Sequence, residues 1–183
     1  MIPRGVALAL ASFVAVLAAE RLVELVLSAR HTRTLRARGA VESGRGHFPL
    51  LVALHALLFP ALVAEVLWLG ARPGPAWPLW LVLFGGAQAL RFSSQQALGE
   101  RWTVRILAVP GEPLVRHSVY RLLRHPNYVA VALELLAGPL LFGAWRTALL
   151  ATLWNAVAMA IRIPAEQRAL ARAIHDRRRG EAS

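Results

Sequence analysis

The sequence has no cysteine and no lysine, so all 21 of its basic residues are arginine. Without a thiol the chain can form no disulfide, no thiolate metal site and no cysteine nucleophile. Its six histidines show no ligand spacing with nearby acids, and we therefore predict no metal site. The use of arginine alone, in a chain rich in Ala and Leu, indicates a high-GC coding genome and hence a bacterial source.

Acidic residues are also scarce, because ten Asp and Glu stand against 21 Arg and give a formal net charge of +11. That charge would suit nucleic acid, but the arginines mainly flank apolar runs, where membrane topology and anionic lipid account for them better. Hydrophobic residues make up 57% of the 183 residues, against about 45–50% in soluble domains. We therefore predict an integral membrane protein that contacts membrane lipids and binds no nucleic acid.

The apolar runs lack strict alternation and are too long for barrel strands, so we predict an all-α membrane helix bundle. The five predicted spans cover residues 6–27, 48–69, 78–97, 127–144 and 147–163. They form one domain over residues 1–183, made of a three-helix part (1–97), a long loop with a helical hairpin (98–170) and a basic tail (171–183). The first run also resembles a signal peptide, but its apolar residues continue to Leu27, which favours a span.

The loop charges predict an orientation. Arginines concentrate in segments 28–47 and 98–126 and in the tail, and by the positive-inside rule these segments are cytoplasmic. The N-terminus is then outside and the C-terminus inside, as five spans require. The opposite connections are short turns at 70–76 and 143–146. We expect a multi-pass protein of the bacterial inner membrane with its active site facing the cytoplasm.

Several charged residues lie inside the predicted spans, where each costs about 2.5–3.5 kcal/mol at mid-helix. They must face partners or a cavity, and either an ion-pair network or a functional site would satisfy them. These residues are Glu20, Arg21, Glu24, Glu65, Arg91, Glu134 and Arg162. Glu65 lies near the outer end of its span, where we expect it to be solvated. The others cluster toward the cytoplasmic ends, which favours an enzyme over a transporter with charges along its whole length.

Glu134 is the first candidate for catalysis. It lies six residues after Tyr128, about one and a half helical turns deeper in the membrane. A buried acid of this kind suits a general base, and the alternative is an ion-pair partner for Arg91 or Arg162. His55 either joins the same pocket or is a core histidine with satisfied hydrogen bonds.

Two motifs give the chain a family resemblance. Arg124-His-Pro-Asn-Tyr128, a helical hairpin and then Arg162-Ile-Pro-Ala-Glu166 resemble the isoprenylcysteine carboxyl methyltransferase family. The segments 39–49, 101–105 and 109–111 are similar to a bacterial branch found near type III polyketide synthases. The sequence departs from the family pattern at Gln167, where a second Glu is usual, and at Ser118, where Gly is frequent.

The resemblance implies S-adenosylmethionine as methyl donor, bound at the cytoplasmic face without a Rossmann domain. It implies that Glu166 takes the cofactor's ammonium or a ribose hydroxyl, and that Arg162 orients the acceptor oxygen or the cofactor carboxylate. The implied cofactor-binding residues are Val109, Gly111, Tyr120, His125, Pro126, Asn127, Tyr128, Glu166 and Gln167. Glu134, Arg162 and His55 are the candidates for catalysis.

We therefore expect an O-methyltransferase for a lipid-like acceptor. A phenolic or enolic polyketide lipid is favoured, because its hydroxyl benefits from a general base such as Glu134. An isoprenylcysteine-type carboxylate, which needs no base, is the alternative. A non-catalytic membrane binding protein or transporter is the second alternative. The sequence does not indicate an oligomeric state.

Overall fold

The computed structural model describes residues 3–180, with side chains described for residues 3–175. It contains five long helices, two short strands and three single-turn 3-10 helices. The long helices are α1 (Arg4–Ala37), α2 (Phe48–Leu67), α3 (Trp77–Leu98), α4 (Pro126–Leu140) and α5 (Trp145–Gly180). The strands are β1 (Val41–Ser43) and β2 (Ile106–Ala108), and the 3-10 turns cover Arg45–His47, Gly99–Arg101 and Ser118–Arg121.

The predicted helical fold is confirmed, with one long helix at each predicted span. The two strands are a departure from the all-α prediction. They pair antiparallel, with Val41 opposite Ala108 and Ser43 opposite Ile106. A strand of three residues is too short to show an alternating pattern in sequence, and this pair brings together residues more than 60 positions apart. It joins the α1–α2 connection to the α3–α4 connection at one end of the bundle.

Three helices are long and apolar enough to cross a membrane: Arg4–Ala37, Arg45–Leu67 and Trp145–His175. This makes the chain a helical, membrane-integral protein. Helix α4 has 15 residues and is therefore about 22 Å long, short of the roughly 30 Å hydrocarbon core. The crossing of all five helices and the direction of the termini stay predictions.

The helices pack through α4, which contacts α3 on one side and α5 on the other, while α5 also contacts α2. The contact is close at Gly138, where an added Cβ would meet the Phe13 ring at 3.3 Å and the Phe84 ring at 3.4 Å. Phe13 of α1 packs between Phe84 and Phe142 in tilted and edge-to-face contacts, with ring centroids 5.2 Å apart in both pairs. These contacts bring one face of α1 toward α3 and α4, while its other face exposes large apolar side chains such as Leu8, Val16 and Leu22.

We expected from the sequence that Glu65 would be solvated near the outer end of its span, and this prediction is wrong. Glu65 is 2% exposed and caps the first turn of α5. Its carboxylate accepts hydrogen bonds from the backbone N–H groups of Arg146 (3.0 Å) and Thr147 (2.7 Å) and from the Thr147 hydroxyl (2.7 Å). A buried helix start needs such acceptors because its first N–H groups have no partner within the helix.

The α5 helix also corrects the predicted chain end. We expected a span that ends at residue 163 and a separate basic tail over 171–183, but α5 runs unbroken from Trp145 to Gly180. Pro164 lies inside it, although proline removes one helical hydrogen bond. The helix is about 54 Å long and therefore extends well beyond a bilayer core of about 30 Å. Residues 181–183 of the predicted tail lie outside the described residues.

Candidate active site

A cavity of about 240 Å³ lies at the end of the bundle where α1 and α3 finish and α4 begins. The two connections joined by β1 and β2 close over it, and the extension of α5 forms one wall. Its polar lining residues are Arg101, Thr103, Arg105, Glu112, Tyr120, Arg124, His125, Asn127, Tyr128, Arg162 and Glu166. Leu35, Leu98, Trp102 and Leu170 supply apolar wall. The cavity therefore has both apolar surface and convergent charged groups, as ligand sites commonly do.

Four side chains from α4 and α5 form a hydrogen-bonded group in this cavity. The Tyr128 hydroxyl donates to Glu166 Oε2 at 2.5 Å and accepts from Arg162 Nε at 2.9 Å. His125 stacks on Tyr128, with ring centroids 5.3 Å apart and planes 11° apart, and its Nδ1 lies 3.6 Å from Glu166 Oε2. We call His125, Tyr128, Arg162 and Glu166 the α4–α5 cluster.

Local sequence rules place the α4–α5 cluster. Pro126 is the first residue of α4, where a missing N–H costs nothing, so the helix starts directly after His125. His125 and Tyr128 are three residues apart and lie on one side of that first turn. Arg162 and Glu166 are four residues apart and share one face of α5. The antiparallel α4–α5 hairpin then brings the two pairs together.

The segment after α3 is fixed against α1 and α5. His31 Nδ1 lies 2.8 Å from the Trp102 carbonyl oxygen, and the Val104 N–H donates to the Ser28 hydroxyl at 3.0 Å. Arg162 Nη2 donates to the Val104 carbonyl at 2.9 Å. Arg162 thus connects the α4–α5 cluster to this segment. These contacts explain why a connection with so little regular structure is ordered.

A second charged group holds the connections over the cavity. Glu42 on β1 accepts hydrogen bonds from Arg36 (2.7 Å) and Arg105 (2.6 Å). Burial by itself would raise the pKa of the Glu42 carboxyl, but the hydrogen bonds from Arg105 and Arg36 outweigh it and hold the pKa below its usual value. Glu112 similarly pairs with Arg38 and with Arg101. The Glu42 and Glu112 carboxylates are therefore already paired with arginines around the opening of the cavity.

The cavity carries more positive than negative charge. Arg101, Arg105, Arg124 and Arg162 line it against Glu112 and Glu166. Tyr120 also lines it, and burial together with the nearby Glu166 charge raises the pKa of its hydroxyl. Tyr120 therefore stays protonated at neutral pH. An excess of guanidinium groups in a partly desolvated site favours anionic oxygen atoms.

The structure brings together most of the residues predicted for one site. Val109, Tyr120, His125, Asn127, Tyr128, Arg162 and Glu166 all line the cavity. Gly111, Pro126 and Gln167 do not: the Gly111 N–H donates to the Ala173 carbonyl at 3.2 Å, Pro126 is buried behind the wall, and Gln167 is exposed. Leu35 was missed, because no local sequence pattern places this residue of the C-terminal part of α1 at the cavity. The roles of these residues stay predictions.

Glu134 and His55 lie elsewhere, beside a smaller cavity of about 30 Å³ lined by residues of α1, α2, α3 and α4. His55 Nδ1 lies 2.9 Å from the Leu51 carbonyl of its own helix, so its hydrogen bonding is partly satisfied there. Glu134 Oε2 lies 3.3 Å from both Arg21 and Arg91, and not within ion-pair distance of Arg162. Neither residue lines the larger cavity.

Five of the seven charged residues inside the predicted spans form one network with Glu24 at its centre; Glu65 and Arg162 lie outside it. Arg91 donates to both Glu24 oxygens at 2.6 Å, Arg21 donates to Oε2 at 2.7 Å, and Gln95 donates to Oε1. Glu20 joins through Arg21 at 3.3 Å. Glu24 and Arg91 are 5% and 6% exposed. This arrangement is the ion-pair alternative for Glu20, Arg21 and Glu24. We call it the buried network, and Glu134 belongs to it through Arg21 and Arg91.

Comparison with known proteins places this architecture in a family. The profile of the isoprenylcysteine carboxyl methyltransferase (ICMT) family matches residues 79–172, which include α3, α4, the intervening connection and most of α5. The uncharacterized protein YpbQ of Bacillus subtilis is 36% identical over 157 residues, covering 86% of this chain and 94% of that protein. An uncharacterized protein of Haemophilus influenzae is 30% identical over 151 residues, covering 82% and 88%. No solved structure matches.

The fold and these matches define a helical membrane protein of a methyltransferase family. The chain belongs to the isoprenylcysteine carboxyl methyltransferase family. Both motifs of the α4–α5 cluster lie inside the matched residues, whereas α1 and β1 lie before them. The larger cavity is therefore built partly by residues that the family profile does not cover.

Proposed function

We propose that the protein is an S-adenosylmethionine-dependent O-methyltransferase that acts on a lipid-like acceptor at the cytoplasmic face of the bacterial inner membrane. The observation that carries this proposal is the α4–α5 cluster. It places a histidine, a tyrosine, an arginine and a carboxylate around one cavity at the end of membrane helices. Such a position gives access both to a charged, water-soluble donor and to an acceptor dissolved in the bilayer.

The residues around the cavity fit the proposed cofactor. S-adenosylmethionine supplies a methyl group bonded to a positively charged sulfur and so makes it open to attack by an oxygen atom. Arg162 and Glu166, four residues apart on α5, match the carboxylate and ammonium of its amino-acid end. The Oδ1 atom of Asn127 is buried at the cavity wall without a hydrogen-bond partner among the described residues, and can accept from the amino group of a purine.

The chain itself contributes positioning and exclusion of water. Trp102 is 5% exposed, and the connections joined by β1 and β2 shield part of the cavity from bulk solvent. Arg162 holds both Tyr128 and the Val104 carbonyl, so the wall is rigid where the two reactants would meet. Holding two reactants in line is a large part of what an enzyme can contribute to such a transfer.

The arginines around the cavity favour an acceptor with an acidic oxygen. A phenolic or enolic polyketide lipid is our first candidate, and an isoprenylcysteine-type carboxylate is the second. Glu134 serves the first candidate as a general base only if it can reach the acceptor's proton. Its contacts with Arg21 and Arg91 support the ion-pair role instead. The ion pairs among Glu24, Arg21, Arg91 and Glu134 satisfy these charges within the protein. The charges therefore do not line a path across the membrane, which supports an enzyme over a transporter.

The test of cofactor binding is titration calorimetry of S-adenosylmethionine into the detergent-purified protein. We expect saturable binding, and we expect Glu166→Gln to weaken it. Loss of one charge-assisted hydrogen bond of about 1.5–3 kcal/mol corresponds to a roughly 10- to 100-fold higher Kd. Glu100→Gln is the matched control, because Glu100 is exposed and does not line the cavity. Absence of binding to a wild-type protein that unfolds cooperatively would contradict the proposal.

The test of the acceptor uses mass spectrometry of products from an alkylresorcinol and from a farnesylcysteine analogue, each supplied in the same nanodiscs. Methylation of the phenol alone supports the first candidate, and methylation of the carboxylate alone supports the second. Glu134→Gln then separates the two roles of Glu134. Complete loss of phenol methylation, with cofactor affinity and melting temperature retained, would assign the general base, whereas retained turnover would assign the ion-pair partner.

A further inference from the structure

The connection just before α4 has two unlike sides. Its 3-10 turn, Ser118–Arg121, packs against α3 and directs Tyr120 into the larger cavity. Leu122 follows directly and points away from the protein, with 87% of its surface exposed, the largest exposure among the described large hydrophobic residues. Leu123 is 37% exposed on the same connection, whereas Leu114, which is also 37% exposed, lines the larger cavity.

This exposure is built into a defined backbone. The Leu122 and Leu123 N–H groups both donate to the Val119 carbonyl, at 3.1 and 3.0 Å, and Tyr120 N–H donates to the His117 carbonyl at 3.3 Å. Because these bonds fix the turn, Leu122 cannot become buried while Tyr120 keeps its place at the cavity. A leucine held outward in this way needs an apolar partner outside the chain.

The charges around these leucines indicate what that partner is. Arg116, Arg121 and Arg124 are exposed, and residues 113–124 include no acidic residue. The connection lies between the C-terminal end of α3 and the N-terminal end of α4, which under the five-span prediction is the level at which both helices leave the hydrocarbon core. Apolar side chains flanked by arginines at that level match the boundary between acyl chains and anionic headgroups.

We propose that residues 114–124, here called the interface segment, insert Leu122 and Leu123 into the leaflet, with Arg116 and Arg121 on anionic lipid headgroups. The interface segment then holds the larger cavity, through Tyr120, at the surface of an anionic leaflet. This assignment does not depend on the identity of the methyl donor or acceptor. It adds a lipid-contact site that lies outside the spans and beside the candidate active site.

The absence of cysteine makes the test direct, because any introduced cysteine is the single labelling site. A nitroxide is attached to Leu122→Cys, and a second protein carries it at Pro110→Cys, an exposed position on the turn after β2. Both proteins are placed in nanodiscs of zwitterionic lipid alone or with phosphatidylglycerol. Power-saturation electron paramagnetic resonance then compares access of oxygen and of a water-soluble nickel complex to each label.

We expect the label at 122 to favour oxygen and the label at 110 to favour nickel, with deeper immersion at 122 when phosphatidylglycerol is present. The double variant Arg116→Gln, Arg121→Gln should remove that dependence on anionic lipid. The matched pair Arg168→Gln, Arg172→Gln, which changes two exposed arginines on α5, should not. Nickel access at 122 equal to that at 110 would overturn the proposal. Immersion that is unaffected by lipid charge would overturn the anionic assignment. Spin–spin broadening between two labelled copies would instead place a second chain on these leucines.

Discussion

Neutralising Glu24 should destabilise the protein far more than neutralising Glu134, although both are intramembrane acids in contact with the same arginines. Glu24 accepts hydrogen bonds at 2.6–2.7 Å from Arg21 and Arg91, and Arg91 contacts both of its oxygens. Glu134 contacts the same two guanidinium groups through one oxygen at 3.3 Å, and its Oε1 has no partner among the described residues. The two acids therefore differ in geometry more than in burial.

The magnitude follows from what each change leaves behind. In Glu24→Gln the amide keeps one acceptor oxygen, and its NH2 group then faces arginine donors, so a buried guanidinium loses its partner. Breaking a buried pair in this way costs about 3–5 kcal/mol. Glu134→Gln weakens two long contacts and costs about 1 kcal/mol. At about 2–4 °C per kcal/mol for a chain of this size, the melting temperature falls by roughly 6–20 °C and 2–4 °C respectively.

Thermal melts in detergent micelles, followed by tryptophan fluorescence, measure both changes, with Glu100→Gln as the exposed control. The double variant Glu24→Gln, Arg91→Gln removes both partners and should recover part of the loss, because no charge is then left unpaired between them. A drop for Glu134→Gln as large as that for Glu24→Gln would refute the geometric argument, as would additive losses in the double variant.

Three further outcomes check other parts of the structure. Gly143→Ala should prevent stable folding, since its Cβ would lie 1.9 Å from the Arg72 carbonyl oxygen at a φ of +72°, whereas Gly85→Ala has nothing within 4 Å and should leave the melting temperature unchanged or raise it. Glu65→Gln should lower the melting temperature by about 2–8 °C through loss of a charged helix cap worth roughly 1–2 kcal/mol, and an unchanged melting temperature would contradict the capping role. Glu42→Gln should be less stable than wild type at neutral pH. Because the folded-state pKa of Glu42 is depressed, its contribution is present above the unfolded value of about 4.5 and is lost as pH falls through the folded pKa, so acid unfolding profiles of the two proteins should converge.

The helices and much of the cavity could be predicted from sequence because their signals are local. An apolar run of about 20 residues identifies a membrane helix by length alone. His125 and Tyr128 share one turn, as do Arg162 and Glu166, so helical spacing already pairs each couple. A short connection between α4 and α5 then makes the two helices antiparallel neighbours. The family resemblance further predicted that the start of α4 and the cytoplasmic part of α5 form one site. The structure brings the four side chains together there.

The missed features depend on partners far away in sequence. From its local sequence Glu65 is predicted to be an interfacial acid. Its actual partner is the first turn of α5, where Thr147 lies 82 positions later in the chain. The pairing of β1 with β2 joins two segments whose local patterns are too short to predict strands. Helix α5 passes Pro164 because packing of its extension against the β2 connection, including the bond from Gly111 to Ala173, compensates for the lost backbone bond.

Ser118 shows how the resemblance and the backbone bear on one another. Its φ is +55°, and it is the one non-glycine residue with positive φ among those described. The family often has glycine here, and glycine adopts this conformation without a side-chain clash. Serine in the left-handed region costs about 1 kcal/mol or more, which the turn of the interface segment must offset. The departure therefore alters local backbone strain and does not by itself change the group facing the cavity.

The N-terminal helix completes a site whose recognisable motifs all lie after it. Ser28 and His31 of α1 hold the segment 102–104, and that segment in turn accepts a hydrogen bond from Arg162. Leu35 forms part of the cavity wall. The family profile begins at residue 79, so it covers none of α1. Further along α1, Glu24 accepts hydrogen bonds from Arg21 and from Arg91 of α3, which holds α1 against α3. No member of the buried network lines the larger cavity. The network nevertheless fixes the position of α1, and therefore of the wall that α1 contributes to the cavity.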